Sequence, residues 1–226
     1  MNKKRFNLLL SGVKRKAWSV SFNGTSATID AGSEASIDDL HDAAFTAEGW
    51  AKATGAGSGG GYGTLFSKEK WAFRFLGSAT IRGTLSCADG DVTASYTYAP
   101  DETWNHWAIT WDDAGDRRLR VWRNGILVAT SGTGIGAIVS DTASNMYIGS
   151  TTAAFGFWAG NIGWVRVSNS VRYTTTFTPL SRFIYPVVDA NTMRLFKIDE
   201  GTGITIVDYS TNAQNGTLAN GAWVKS

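Results

Sequence analysis

Short runs of alternating apolar and polar residues, separated by Gly, Asn and Asp, dominate this chain. Runs rich in Val, Ile, Thr, Trp and Tyr recur at the spacing of short strands, and the 3.6-residue periodicity of helices is hard to find. The chain contains only three prolines, so few residues lack the backbone N–H that strand pairing requires. The pattern predicts an all-β chain folded as a sandwich of two antiparallel sheets.

The clearest strands lie in the middle of the chain. Residues 104–111 predict one strand, residues 112–116 a turn and residues 119–123 a second strand, and the hairpin dipeptide Asn124-Gly125 leads into a third strand at 126–129. Further strands are predicted at residues 45–52, 65–66, 71–76, 80–87, 92–98, 145–149, 160–168 and 193–197.

Three connecting segments have patterns of their own. Residues 17–30 contain two strand-like runs around Asn23-Gly24, which predicts a hairpin. Residues 37–44 predict a short helix or turn, and the glycine-rich residues 53–63 predict a mobile hairpin loop. The glycine-rich segment lacks the G-K-[ST] ending of a phosphate-binding loop, so we do not expect it to bind a nucleotide.

Length and composition suit one domain with a large aromatic core. The 226 residues include 10 Trp, 11 Phe and 7 Tyr, which can fill the space between two sheets. The net charge is only +2, but six basic residues crowd the stretch from Lys3 to Lys16. We therefore divide the chain into a basic N-terminal arm (1–17), a sandwich (18–190) and a C-terminal strand segment (191–226). The arm is expected to be solvated or to act as a docking peptide, and not to bind nucleic acid.

One cysteine and two histidines limit the covalent and metal chemistry of the chain. Cys87 cannot form an internal disulfide, and His41 and His106 do not stand at a metal-binding spacing. We expect His41 at the surface of its turn and His106 in mid-strand. The apolar run at residues 6–10 is too short for a signal peptide, and we expect no membrane-spanning stretch. The sequence thus predicts synthesis in the cytoplasm without a signal peptide.

Six segments, in order, resemble the laminin-G-like and concanavalin A-like superfamily. They are WSVSFNG at 18–24, FTAEGWAK at 45–52, TWNHWAITWDD at 103–113, LRVWRNGILVA at 119–129, NMYIGS at 145–150 and AGNIGWVRVSN at 159–169. The resemblance implies a jelly roll of two curved antiparallel sheets.

Two later segments extend the resemblance. Residues 192–223 resemble the segment that comes first in many such domains, so the chain is either circularly permuted, with this segment folding back onto its own sheet, or exchanges the segment with a neighbouring subunit. Residues 171–179 (VRYTTTFTP) resemble an ending often attached to these domains in bacteriophage structural proteins.

Catalysis and strong metal binding are not expected. The retaining glucanases of this fold need carboxylates on one strand face, as in E-x-D-x-E, and the sequence contains no such run. A calcium ion, common in the superfamily, would take oxygen ligands from Asp30, Asp199, Glu200 or Asp208. The chain lacks acidic residues at Gly163-Trp164, where many members have them, so we predict no cofactor and leave calcium open.

Exposed aromatic rings are the feature that sugar binding needs, because a pyranose stacks its apolar face on them. Trp18, Trp50, Trp104 and Trp107 are expected in the core. The glycan-binding candidates are Tyr62 in the glycine-rich segment, Phe155 and Trp158 in the loop 151–159, and Asn161 and Trp164 beside them.

Our leading hypothesis is a non-catalytic laminin-G-like binding or assembly module, namely a phage virion protein that decorates a capsid or forms part of a tail or fibre. Its partners would be virion or surface proteins, or glycans, and it would act as a homo-oligomer or within a larger extracellular assembly. The alternatives are a free-standing carbohydrate-binding lectin and a degenerate glycoside hydrolase.

Overall fold

The computed structural model describes residues 18–225, so the predicted basic arm (1–17) lies outside the described residues. Sixteen strands make up this part of the chain. In chain order they are β1 Trp18–Asn23, β2 Thr28–Asp30, β3 Ala44–Gly55, β4 Thr64–Lys68, β5 Trp71–Phe75, β6 Thr80–Cys87, β7 Gly90–Thr97, β8 Trp104–Asp112, β9 Arg118–Arg123, β10 Ile126–Thr133, β11 Met146–Ile148, β12 Ala159–Ser168, β13 Thr192–Phe196, β14 Thr205–Ile206, β15 Gly216–Ala219 and β16 Ala222–Lys225.

The strands form two antiparallel sheets of eight strands each, in a jelly-roll sandwich. Sheet A has the order β10-β9-β8-β3-β12-β1-β16, with β13 also paired to β12, and sheet B has the order β14-β15-β2-β11-β4-β5-β6-β7. The helical pieces are a 3₁₀ turn at Leu40–Asp42 and a single α-turn at Ser58–Gly61. No helix between residues 18 and 225 is long and apolar enough to cross a membrane. The predicted fold class is confirmed.

Large aromatic side chains fill the space between the sheets. Along β3 the inward residues Phe45 and Ala47 pair with Trp111 and Ile109 of β8, and all four are fully buried. Trp71 of sheet B contacts Phe45 across the gap, with ring centroids 5.1 Å apart. The described chain has no disulfide, so the fold relies on non-covalent interactions, among them the burial and close packing of these rings.

The predicted strands at 104–129 are confirmed, whereas the hairpin at 17–30 is wrong. β1 lies in sheet A and β2 in sheet B, so the chain crosses from one sheet to the other after Asn23. The Asn23 side-chain oxygen accepts hydrogen bonds from the backbone N–H groups of Thr25, Ser26 and Ala27 at 2.9–3.1 Å. The Asn23-Gly24 dipeptide therefore forms the turn of a crossover and not of a hairpin, because the Asn23 side chain caps the backbone N–H groups that follow it.

The glycine-rich segment is also a crossover, because it joins β3 of sheet A to β4 of sheet B. Gly57 has a φ of +82°, and a Cβ there would lie 2.3 Å from the carbonyl oxygen of Phe157. The glycine therefore allows a close backbone approach that any other residue would block. The prediction of a hairpin loop at 53–63 is wrong for the same reason as the hairpin at 17–30.

The C-terminal segment adds strands to both sheets of its own chain. β13 pairs with β12 and β16 pairs with β1 in sheet A, and Trp18 lies opposite Lys225. β15 pairs with β2 in sheet B, with Leu218 opposite Ile29. The sequence predicted a contribution to one sheet, and the structure extends it to the second.

Candidate functional site

A long loop covers the outer face of sheet A. Residues 169–191, here called the strap, follow β12 and lead to β13. Tyr173 and Phe177 of the strap stack with ring centroids 3.5 Å apart, and both rings contact Trp122 and His106 on the outer face. Trp50 adds a hydrogen bond from its indole N–H to a strap carbonyl. This covering explains why Trp122, which points away from the core, is only 1% exposed.

A buried carboxylate lies beneath the strap. Glu48 of β3 accepts hydrogen bonds from Arg166 Nε at 2.7 Å, Tyr173 Oη at 2.7 Å and His106 Nε2 at 3.0 Å. Burial raises the pKa of Glu48, but the hydrogen bond and charge of His106 and the charge of Arg166 outweigh burial and hold that pKa below its ordinary value. The carboxylate is thus charged, paired and sealed from solvent, which suits a structural group better than a catalytic one.

One strap residue fastens both ends of the covering loop. Arg172 donates two hydrogen bonds to Asp189, at 2.6 and 2.7 Å, and a third from Nε to Ser168 Oγ at 2.8 Å. Its backbone N–H also donates to Thr46 Oγ1 of β3. The hydrogen bonds and charge of Arg172 hold the pKa of Asp189 well below its usual range, although burial opposes this.

Two of the predicted glycan-binding residues lie together on the surface. Tyr62, at the end of the α-turn, contacts Phe155 with ring centroids 5.9 Å apart, and Phe155 is 44% exposed. A hydrogen bond of 2.6 Å between Thr64 Oγ1 and Thr151 Oγ1 joins the loops that carry the two rings. The Arg74 guanidinium lies 5.6 Å from the Tyr62 ring centroid. We call Tyr62, Phe155 and Arg74 the aromatic platform.

The other predicted residues are not part of this platform. Trp158 is fully buried, and its ring lies 5.5 Å from that of Phe75 in the core. Trp164 is 2% exposed and contacts His106 under the strap. Asn161 is half-buried in the middle of sheet A, between Ser21 and Lys52. Neither tryptophan has a face open to a ligand in this structure.

Sequence reasoning missed a pair of arginines, of which Arg74 belongs to the platform and Arg82 lies beside it. Arg74 of β5 and Arg82 of β6 are opposite residues on the outer face of sheet B. Among residues 18–225 neither forms an ion pair, and the Nε atom of each is buried without an acceptor. Burial, and next the like charge of Arg82, lower the pKa of Arg74. Only the strand register reveals this pair, because the two residues are eight positions apart in the sequence.

The four predicted calcium ligands are held by separate partners. Asp30 accepts from Asn145 Nδ2, Asp199 from Tyr185 Oη, Glu200 from the backbone of Val207 and Asp208 from the backbone of Leu195. In the described part of the chain, the group of potential ligands that come within 4.8 Å of one another is a different one, Asp39, His41 and Asp141.

This second group joins two crossovers. Asp39 and Asp141 exchange hydrogen bonds, each backbone N–H donating to the other's carboxylate at 2.7–2.9 Å. His41 is fully buried, so its predicted surface position is wrong; the turn folds inward, and His41 Nε2 lies 2.9 Å from the carbonyl of Val139. Burial raises the pKa of Asp141 despite the opposing hydrogen bond from Lys68.

Comparison with known proteins identifies the family. A family model described as the concanavalin A-like lectin/glucanases superfamily, of the laminin-G type, matches residues 23–176, more than half of the chain. The chain belongs to this superfamily. No curated protein matches the sequence. The match to the superfamily model includes the first part of the strap and ends before the C-terminal segment.

Among solved structures, a proposed carbohydrate-binding protein from Bacteroides ovatus is similar over 93% of this chain and 60% of its own, with 17% identity and a TM-score of 0.69. The present chain therefore spans less than two thirds of the length of the Bacteroides ovatus protein, and the likeness shows the fold alone. A pentraxin from Limulus polyphemus (17% identity, 72% and 81% of the two chains, TM-score 0.42) and domains LG4-5 of the mouse laminin α1 chain (11%, 73% and 47%, 0.48) are more distant.

Proposed function

We propose that this chain is a non-catalytic glycan-binding module and that the aromatic platform is its binding surface. The observation that carries the proposal is the contact between Tyr62 and Phe155, two rings on joined loops, with Phe155 nearly half exposed. Sugar rings stack on such surfaces, while neighbouring polar groups recognise their hydroxyls. Arg74 and Arg82 add donors without carboxylate partners, so glycans that carry a carboxylate or sulfate are the expected class.

The covered face of sheet A supports a binding function over hydrolysis. Glycoside hydrolysis needs two carboxylates within reach of one sugar bond and open to it. Glu48 is 0% exposed and has its oxygens occupied by Arg166, Tyr173 and His106. A substrate would have to displace the strap before it met this carboxylate.

The proposal extends to a setting in a phage virion, where the module would contact neighbouring proteins as part of a surface assembly. The strap supports contact with a neighbouring protein, because four of its apolar side chains between residues 180 and 187 are exposed, and exposed apolar surface favours protein contacts. They are Leu180, Phe183, Ile184 and Val187, the last 82% exposed. A free-standing lectin fits the aromatic platform equally well.

A glycan array with purified protein tests the binding function. We expect binding by the wild type, and a loss of about tenfold in affinity when Phe155→Ala removes one stacking ring, since about 1.4 kcal/mol corresponds to tenfold. Phe183→Ala is the matched control, because Phe183 is also an exposed phenylalanine but lies on the strap. Arg82→Gln should weaken binding of acidic glycans more than of neutral ones.

Each outcome separates the alternatives. Glycan binding that survives both Tyr62→Ala and Phe155→Ala would show that the platform is not the site. Absence of binding to every glycan, together with concentration-dependent association in light scattering, would replace the glycan function with an assembly function. Glycan binding by a monomer would favour the free-standing lectin over the virion setting.

A further inference from the structure

Two buried atoms with lone pairs face each other between the crossovers. His41 Nδ1 and Asp141 Oδ2 lie 3.7 Å apart, both side chains are 0% exposed, and neither atom has a hydrogen-bond partner. An unpaired buried polar group lowers stability, so two that face each other need an explanation.

The hydrogen bond at the other side of the imidazole defines the state of this pair. A carbonyl oxygen only accepts, so the 2.9 Å contact between His41 Nε2 and Val139 O requires the hydrogen on Nε2. In the tautomer with its single hydrogen on Nε2, His41 presents a lone pair at Nδ1 to a carboxylate oxygen. Ligand histidines in metal sites are commonly oriented in this way, with the remote N–H donated to a backbone carbonyl.

Lys68 pairs with the other oxygen of the Asp141 carboxylate and leaves Oδ2 without a hydrogen-bond partner. Its buried ammonium contacts three acceptors, Asp141 O at 2.5 Å, Asp141 Oδ1 at 2.6 Å and Asp38 Oδ1 at 2.9 Å, which match its three hydrogens. With Asp39 also present, three carboxylates surround one ammonium. One ammonium thus serves several carboxylates, and the two orphan atoms remain without a donor or a cation between them.

We propose that His41 Nδ1, Asp141 Oδ2 and a carboxylate oxygen of Asp39 form a site for one divalent transition-metal cation of the Zn²⁺ class. Zinc takes nitrogen and carboxylate ligands at about 2.0–2.2 Å, so one ion can reach both orphan atoms across 3.7 Å. Calcium prefers six to eight oxygen ligands, which a site with a histidine does not offer. Asp39 is only partly buried, so solvent reaches this side of the group.

The proposed metal site is separate from the aromatic platform, and its role is to stabilise the fold. Asp39 and His41 belong to the connection between β2 and β3, and Asp141 to the connection between β10 and β11. A cation would fasten these two crossovers to each other, so its effect is expected on stability and not on glycan affinity.

The test uses the full chain without a histidine tag, treated with chelator and then exposed to Zn²⁺ alone. We expect one zinc per chain by mass spectrometry after gel filtration. At a hundredfold excess over the dissociation constant, the melting temperature should rise by about 5–10 °C. His41→Gln should reduce zinc affinity at least tenfold, and Asp42→Asn, an exposed acidic neighbour, should not.

Three results would overturn the proposal. A folded wild type that retains no zinc and shows no shift would mean that His41 is protonated and simply ion-paired to Asp141. Zinc binding of wild-type strength by folded His41→Gln would place the ion elsewhere. A larger stabilisation by Ca²⁺ than by Zn²⁺ would contradict the ligand class. If His41→Gln is unfolded by circular dichroism, Asp39→Asn provides the same comparison.

Discussion

Deletion of residues 192–226 tests how the two sheets are completed. It removes strands β13 to β16, so β1, β2 and β12 each lose one of their paired strands. It also removes five apolar side chains that are at most 4% exposed, and at roughly 1.5–3 kcal/mol each their loss amounts to about 8–15 kcal/mol. They are Leu195, Phe196, Ile198, Ile206 and Leu218. Because a whole domain is stable by about 5–15 kcal/mol, we expect the shortened chain to be unfolded.

The assay is circular dichroism with thermal melting, accompanied by the near-ultraviolet signal of the buried tryptophans. Deletion of residues 1–16 is the control and should leave the melting temperature unchanged. Adding residues 192–226 as a separate peptide should restore part of the native signal, since strand addition to open sheet edges requires no covalent link. A shortened chain that melts at the wild-type temperature would refute the reasoning.

Two further substitutions, one of them with a control substitution, probe single features. Glu48→Gln leaves Arg166 buried without its charge partner and should cost about 3–5 kcal/mol in urea unfolding at pH 7. His106 and Arg166 outweigh burial and lower the pKa of Glu48, so its contribution to the free energy of unfolding is complete above about pH 4.5 and is lost as the pH falls. The stability difference between wild type and variant should therefore shrink towards pH 3. A difference that stays constant with pH would contradict the ion pairing. Gly149→Ala places a Cβ 2.0 Å from the buried Phe22 ring and should destabilise by several kcal/mol, whereas Gly32→Ala, with a similar positive φ and open space, should cost only about 1–2 kcal/mol. Equal costs would mean that backbone conformation alone decides.

Local signals predicted much of the fold. Strands β8, β9 and β10 follow from alternation and from Asn124-Gly125, whose residues both adopt positive φ in a two-residue turn. The same dipeptide at Asn23-Gly24 led to the wrong prediction of a hairpin, because the sheet to which a strand belongs depends on partner strands far away in the sequence. β1 pairs with β12 and β16, and no local pattern contains that information.

The candidate site was predicted in part for similar reasons. Tyr62 and Phe155 lie in loops, where a large aromatic residue has no local reason to be buried, and the structure brings them into contact. Trp164 stands on a strand whose outer face is covered by the strap, so alternation could not tell a core position from a covered one. Arg74 and Arg82, like His41 and Asp141, meet only through pairing across the fold.

The order in which the chain visits the two sheets has a consequence for how the domain comes apart. The chain alternates between sheets A and B from β1 to β4, and later crossovers repeat this alternation. Neither sheet can therefore unfold while the other stays intact. Amide protons in the middle strands of both sheets should therefore exchange with solvent through one shared unfolding event, with the same free energy of opening.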